Sequence, residues 1–355
     1  MENIRQGVKK MIGISTLEVS PQNQPVAVLG GTGFIGTRLA RTLTDQRAAF
    51  LIGDIHPSDA FPEYWRFCDV RDGKGLDELL QGSKVIINLA AEHRDDVRPL
   101  TRYHETNVQG AIRVCSAARK AGISKIIFTS SVAVYGFQSK PVDENGPCTP
   151  FNTYGQTKLE AEGIYRAWAD EDKSRTLVII RPTVVFGEGN RGNVYNLLRQ
   201  IATGKFLMVG SGNNTKSMAY VGNVAAFLLH SFALGEGIHI FNYVDGPDMS
   251  TKMLIEHIRR CLGRPGKPPR IPKALALAGG HILDIVGRLS GKTFPVSAIR
   301  VQKFCENTQF KANRIAESGF KPQCSLSEAL ARTVSFEFPI RSTLSPSQSW
   351  SPGES

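Results

Sequence analysis

Val26-Ala27-Val28-Leu29-Gly30-Gly31-Thr32-Gly33-Phe34-Ile35-Gly36 passes from four apolar residues into a glycine-rich loop and on into a helical pattern over residues 34–44. An uninterrupted apolar run that ends in glycines reads as a buried parallel strand feeding a tight turn. In a strand, loop and helix unit of this kind each glycine has a task. Gly30 makes the turn, Gly33 lets a pyrophosphate approach the backbone, and Gly36 lets helix and strand pack closely. Phe34 and Ile35 open the helix whose N-terminus would face the phosphates. The loop therefore predicts a dinucleotide site in preference to a plain structural turn. With it comes an α/β fold: a Rossmann-type doubly wound parallel sheet with a smaller C-terminal substrate domain.

Working outward, a second strand over 50–53 ends at Asp54, eighteen residues after Gly36. A carboxylate there accepts hydrogen bonds from an adenosine ribose and repels a 2′-phosphate, which favours NAD over NADP. A third short strand over 64–67 leads to Asp69 and Val70, with Asp69 expected at the adenine edge. A fourth strand over 85–88 runs into Leu89, Ala90 and Ala91, small enough together for a ribose to lie against backbone. The polar cluster Glu92-His93-Arg94-Asp95-Asp96 follows at the carboxyl end of that strand, where doubly wound sheets bind ligands. His93 and Arg94 are candidates to touch substrate, although a histidine paired with a neighbouring acid would look the same.

The chemistry lies in residues 130–158. Ser130 and Ser131 end a buried strand over 125–129, residues 141–152 read as a polar loop, and residues 154–168 read as a helix. Tyr154 and Lys158, at i and i+4, then share a helix face. A phenol with a pKa near 10 is a poor base at neutral pH, but a nearby lysine cation and an oxidised nicotinamide stabilise its phenolate. Lys158 would supply that charge and hold the nicotinamide ribose, while Ser131 would hydrogen-bond the reacting oxygen. A tyrosine and lysine at this spacing often occur by chance. A serine-ended strand 23 residues before Tyr154, with a dinucleotide loop before that, makes chance a poor account.

Together these residues resemble the extended short-chain dehydrogenase/reductases, the NAD-dependent sugar epimerase/dehydratase family, over residues 26–338. The resemblance implies that Ser131, Tyr154 and Lys158 are catalytic, that Asn107 supports the lysine, and that the segment with Arg181 and Thr183 lies along the nicotinamide. A closer resemblance is to the epimerases of O-antigen gene clusters, which interconvert N-acetylglucosamine and N-acetylgalactosamine on undecaprenyl diphosphate. It is carried by Ala90-Ala91-Glu92-His93-Arg94-Asp95-Asp96-Val97, by Asn190-Arg191-Gly192-Asn193-Val194-Tyr195, by Lys216-Ser217-Met218-Ala219-Tyr220-Val221-Gly222-Asn223 and by Ser297-Ala298-Ile299-Arg300-Val301. It places Arg191, Asn193, Lys216 and Arg300 around the substrate diphosphate. Residues 99–121 read as a long helix with Val108, Ala111, Ile112, Val114 and Cys115 along one face, and the resemblance also implies a homodimer packed through 99–121 and 154–168. One departure is Gly222-Asn223, where many relatives carry an acidic pair; it weakens a transfer of nucleotide recognition from better-known members.

The activity this implies is NAD-dependent 4-epimerisation of a diphosphate-linked N-acetylhexosamine through a transient 4-keto sugar. Its rivals are a UDP-sugar 4-epimerase, a nucleotide-sugar 4-ketoreductase and a non-catalytic NAD-binding protein. A 4,6-dehydratase is disfavoured because Val132-Ala133, and not an acidic pair, follows the catalytic serine.

Composition sets the remaining bounds. The chain has 355 residues, net charge +11 and 41% hydrophobic content, enough for a large α/β unit with a satellite. Residues 1–24 read as a loosely ordered extension without a secretory signal, 25–187 with a later strand near 237–244 as the NAD domain, 188–338 as mainly the substrate domain, and 339–355 as a disordered tail. The six cysteines show no CxxC spacing, so neither a metal site nor a disulfide framework is expected, and a reducing cytoplasm is the natural home. The positive charge suits an anionic substrate or an anionic membrane surface, and equally an ordinary basic enzyme; no nucleic-acid partner is expected. Over 273–289, Leu275, Ile282, Ile285, Val286 and Leu289 recur at helical spacing between basic flanks. This reads either as a stripe packed on the substrate domain, the favoured reading, or as a helix lying in the inner-membrane interface.

Overall fold

The computed structural model describes residues 24–94, 97–138, 140–290 and 297–339. The extension before residue 24, the tail after residue 339, and Asp95 and Asp96 of the polar cluster lie outside them. So do the side chains of Ile285, Arg288, Leu289 and Arg300.

Seven strands form one parallel sheet: β1 (Val26–Leu29), β2 (Phe50–Asp54), β3 (Trp65–Phe67), β4 (Val85–Asn88), β5 (Lys125–Thr129), β6 (Thr176–Pro182) and β7 (Gly237–Tyr243). Their spatial order is β7-β6-β5-β4-β1-β2-β3, with every neighbouring pair parallel. The order reverses between β1 and β4, the switch point at which such sheets bind ligands beyond their carboxyl ends. Alternation along the strands divides the core. Val26 and Val28 face one layer with Leu39, Leu43 and Phe227, whereas Ala27 and Leu29 face the other with Val114, Tyr165 and Trp168. Burial on both faces explains why β1, β4 and β5 read as continuous apolar runs.

Three helices place the site: α1 (Phe34–Asp45), α2 (Gly110–Lys120) and α3 (Thr153–Asp170). The single helix expected over 99–121 is corrected. A turn of helix at Thr101–Tyr103 leads into a π-helix over His104–Gln109, and only then into α2. Ile112, expected on the buried face with Val108, Ala111, Val114 and Cys115, is exposed. The wider π turn surrounds Asn107, whose side chain makes three hydrogen bonds that a regular helix face would aim elsewhere.

The chain divides into two compact units, each built from three stretches of sequence. The first takes Met1–Phe186, Thr215–Asp248 and Asn307–Leu326; the second takes Gly187–Asn214, Met249–Glu306 and Ser327–Ser355. The first holds the seven-stranded sheet. The second is mostly helical, with Asn193–Ala202, Thr251–Cys261, Lys273–Ser290 and Ala298–Cys305 as its main helices. Among the described residues no helix is long and apolar enough to cross a membrane.

Candidate active site

Close approach governs the glycine loop. Gly30 has φ +70°, and a Cβ there would stand 2.5 Å from the backbone nitrogen of Ala90, so the ends of β1 and β4 meet only because residue 30 lacks a side chain. A Cβ on Gly36 would likewise stand 2.5 Å from Gly31. Gly33 begins α1 with no side-chain cap and no acid in the first turn. The opening amides of α1, at Phe34, Ile35 and Gly36, are therefore left for an anion. Asp54 ends β2 beside the loop, and its two carboxylate oxygens accept hydrogen bonds from the Thr32 and His56 amides, each at 3.2 Å. At the end of β5 the Thr129 hydroxyl is buried without a hydrogen-bond partner among the described residues. An uncapped helix start, a carboxylate at the second strand and an unsatisfied hydroxyl at the fifth fit a bound dinucleotide.

Ser131 and Tyr154 come from segments held against each other. The Ser131 hydroxyl accepts the Ala133 amide at 3.1 Å and caps the 3₁₀ turn Val132–Tyr135, which leaves its proton to be donated. Asn152 caps α3 by accepting the Gly155 amide at 2.9 Å. A Cβ on Gly155 would lie 2.5 Å from the Ala133 carbonyl oxygen, so the missing side chain lets the start of α3, with half-buried Tyr154, rest on the serine turn.

Lys158 is 2% exposed; its ammonium donates to the Thr129 carbonyl at 2.6 Å and sits 4.2 Å from the centroid of the Phe128 ring. Burial pulls its pKa down to about 7, with the charge of Glu162 pulling the other way. Asn107 does not reach the lysine through its hydrogen bonds. It grips the backbone of Glu92 from both sides, at 3.0 and 3.1 Å, and donates to the Thr157 hydroxyl at 3.0 Å, next to Lys158 in the chain. It thereby ties the strand-end loop that carries His93 and Arg94 to α3.

Other residues expected along the cofactor have partners within the chain. Arg181 is 2% exposed, and its guanidinium forks onto Glu162 at 2.8 and 2.6 Å and donates to the Tyr135 hydroxyl at 2.7 Å. The Asp69 carboxylate is engaged bidentately by Arg71, whose hydrogen bonds hold its pKa below the usual range. Val70 is a core residue against Gly110. Thr183 is buried, with its amide and hydroxyl both on the Tyr243 carbonyl. Asn223 lies wholly inside, bonded to Asp245 and to the Cys324 backbone. Asn223 of the Gly222-Asn223 departure is thus a core residue. Burial raises the pKa of Asp245 to about 6 against the hydrogen bonds that favour its ionised form.

On the substrate side, His93 and Arg94 are exposed in the first unit, where Lys216 donates to the Thr308 hydroxyl at 2.9 Å. In the second unit Arg191 pairs with Glu337 at 2.8 Å and lies over the Tyr195 ring, and exposed Asn193 begins the helix Asn193–Ala202. The structure thus groups Ser131, Tyr154, Lys158 and Asn107 with the glycine loop in one unit. Sequence reading missed Glu162, although it lies four residues after Lys158 on the same face of α3.

The depressed lysine gives a signed prediction. Unfolded, Lys158 keeps its proton up to a pKa of 10.5; folded, it releases it near 7. Between these values the unfolded chain binds more protons, so this group makes stability rise with pH across the window. Relative to wild type, ligand-free Lys158→Met should therefore gain several degrees of melting temperature as pH falls from about 10.5 to about 7, and little more below that. A constant offset in thermal melts across the window would contradict the buried-lysine assignment.

The family model described as the NAD dependent epimerase/dehydratase family matches residues 26–242. The chain is 46% identical over 319 residues to N-acetyl-α-D-glucosaminyl-diphospho-ditrans,octacis-undecaprenol 4-epimerase of Escherichia coli O157:H7, covering 89% of this chain and 96% of that one. It is 29% identical over 329 residues to UDP-glucose 4-epimerase of Vibrio cholerae, covering 83% and 93%. Among solved structures, UDP-glucose 4-epimerase of Thermotoga maritima with UDP-glucose superposes with TM-score 0.70 at 20% identity, covering 88% of this chain and 98% of that one. UDP-glucuronic acid 4-epimerase of Bacillus cereus in complex with NAD gives 0.69 at 18% over the same shares. Fold, glycine loop and the serine, tyrosine and lysine framework agree with the match to sequence models, and the chain belongs to the NAD dependent epimerase/dehydratase family.

Proposed function

We propose that the chain is an NAD-dependent 4-epimerase that interconverts N-acetylglucosamine and N-acetylgalactosamine carried on a polyprenyl diphosphate, undecaprenyl diphosphate by its relative's substrate, for surface-polysaccharide synthesis. The observation that carries this is the 46% identity to the undecaprenol-linked epimerase along nearly the whole of both chains. The arrangement of Ser131, Tyr154 and Lys158 supports the chemical half of the reading.

NAD, when bound, accepts a hydride from the sugar carbon and returns it. The chain's own residues manage the proton and the orientation. The Tyr154 phenolic oxygen takes the proton from the C4 hydroxyl while the Ser131 hydroxyl donates to the same oxygen and fixes its position. Lys158, poised near neutrality by burial, favours the tyrosinate whenever it is charged. Gly30, Gly33, the amides of Phe34, Ile35 and Gly36, Asp54, and the backbone of Leu89, Ala90 and Ala91 would hold the cofactor. Asp69 and Val70 would bound the adenine side by backbone and shape, with the carboxylate already committed to Arg71. Asn107 acts as a positioning residue through Glu92 and Thr157.

His93, Arg94, Arg191, Asn193, Lys216 and Arg300 are the proposed substrate contacts, the basic ones toward the diphosphate. The chain works as a homodimer through the helices at 99–121 and 154–168, on the cytoplasmic side of the inner membrane where its lipid-linked substrate is anchored. Epimerisation consumes nothing net. The protein as purified, with no nicotinamide added, should therefore convert N-acetylglucosamine diphosphate-linked substrate to the galacto form until both epimers are present. A stoichiometric requirement for added nicotinamide would identify a ketoreductase instead.

A further inference from the structure

Among its described residues, the helix Lys273–Ser290 buries Ala276 and Gly280 and exposes Leu275, Ile282 and Val286. At about 100° per residue, and taking Leu275 as zero, buried Ala276 lies near +100°, Gly280 near +140° and Asp284 near 180°. These residues meet the helix Ala298–Cys305: a Cβ on Gly280 would stand 2.6 Å from the Ala298 nitrogen, and the Asp284 carboxylate accepts the Ala298 amide at 3.1 Å. The opposite side carries Ala278, Ile282, Leu275, Val286 and Gly279, between about −60° and +40°. Leu275 is 66% exposed, Ile282 61% and Val286 42%. Ile299, beside the crossing point on the second helix, is 54% exposed.

A helix side turned to water ordinarily carries charge. Between Ala274 and Val286 the only formally charged residue is Asp284, and it is used against Ala298. The segment entering the helix is the reverse, with Arg264, Lys267, Arg270 and Lys273 all exposed within ten residues. Of the stripe, Leu275, Ile282 and Val286 are exposed, and the side chains of Ile285 and Leu289 lie outside the described residues.

We infer that the Leu275, Ile282, Val286 and Ile299 face, with the exposed cations Arg264, Lys267 and Arg270 in the segment that leads into its helix, docks the protein on an anionic lipid surface. The apolar side chains enter the headgroup boundary and the cations meet the lipid charge, with the helix lying in the interface and not crossing it. The basic segment before the helix favours an anionic bilayer over a second copy of this chain, whose own cations would repel it. The inference rests on the lipid-carrier reading above for its purpose, but its test is separate.

The full chain should co-sediment with vesicles containing phosphatidylglycerol and far less with vesicles of phosphatidylcholine alone, and added salt should release it. Leu275→Asp with Ile282→Asp should lower the partition coefficient about tenfold or more, and Lys267→Glu with Arg270→Glu should do the same. Neither pair touches the proposed reaction residues. Retained NAD, an unchanged melting temperature, and full turnover of a water-soluble short-chain diphosphate substrate would show that the variants are folded and active. Equal binding to both vesicle types, or binding untouched by the aspartates, overturns the inference. So does a shift of the wild type from dimer to monomer on making the aspartate pair, which would assign the face to a second copy. Failure of turnover with vesicle binding intact would instead count against the epimerase reading.

Discussion

Tyr154→Phe lowers epimerase turnover by about 10³-fold while the protein keeps its NAD, within the range that a positioned general base contributes. The substitution preserves the ring at the start of α3, the Asn152 cap and the contact of Gly155 with Ala133. It removes only the phenolic oxygen. With that oxygen absent, Ser131 still hydrogen-bonds the sugar hydroxyl, but the base that takes its proton is gone. Lys158, although its pKa is near 7, is no substitute, because its buried Nζ is held on the Thr129 carbonyl. Single-turnover measurement of the C4 exchange, with cofactor content read by absorbance, separates the two effects. Activity within about tenfold of wild type would remove Tyr154 from the proton step.

Glu162→Ala should cost about 3–5 kcal/mol of stability, the largest single loss outside the apolar core. Glu162 is buried, and its carboxylate accepts from Arg181 twice, from the Ser130 hydroxyl at 2.6 Å and from Arg166 at 3.1 Å. Burial alone would raise its pKa; the hydrogen bonds and charge of Arg181 outweigh that and hold it below the usual range. Removing the carboxylate leaves the Arg181 cation buried against neutral partners such as the Tyr135 hydroxyl. Arg166→Ala, on the more exposed partner, should cost about 1 kcal/mol or less. Replacing both Glu162 and Arg181 by methionine should recover much of the loss, since the penalty comes from an orphaned charge. Denaturant unfolding of the three variants measures this directly. Equal losses for Glu162→Ala and Arg166→Ala would contradict it. The carboxylate also raises the pKa of Lys158, so surviving Glu162→Ala protein should show a Lys158 titration displaced to lower pH.

Much of this was legible from residue patterns. Strands at 85–88 and 125–129 end where their apolar runs end, because a doubly covered parallel strand has no reason to stop elsewhere. Tyr154 and Lys158 were legible because helix periodicity alone puts i and i+4 together. The pairing of Arg181 with Glu162 was not legible because the two lie 19 residues apart on different elements, with β6 and α3 brought together only by the tertiary fold. The π-helix was hidden for a similar reason: Asn107 is drawn off the regular spacing by Glu92, across the sheet end. Asn223 looked like a change of ligand chemistry and proved to be a core residue facing Asp245. The stripe near Leu275 had a helical period, but period alone does not say which side is covered.

The carrier is the centre of the account, and one assay addresses it most directly. Purified protein without added nicotinamide is offered polyprenyl-diphosphate-linked and UDP-linked N-acetylglucosamine in parallel, and the released sugars are separated as gluco and galacto epimers. The account predicts conversion of the polyprenyl-linked sugar with a much higher kcat/KM than the UDP-linked one. Preferred conversion of the UDP-linked sugar, with the lipid-linked one left unchanged, would contradict it.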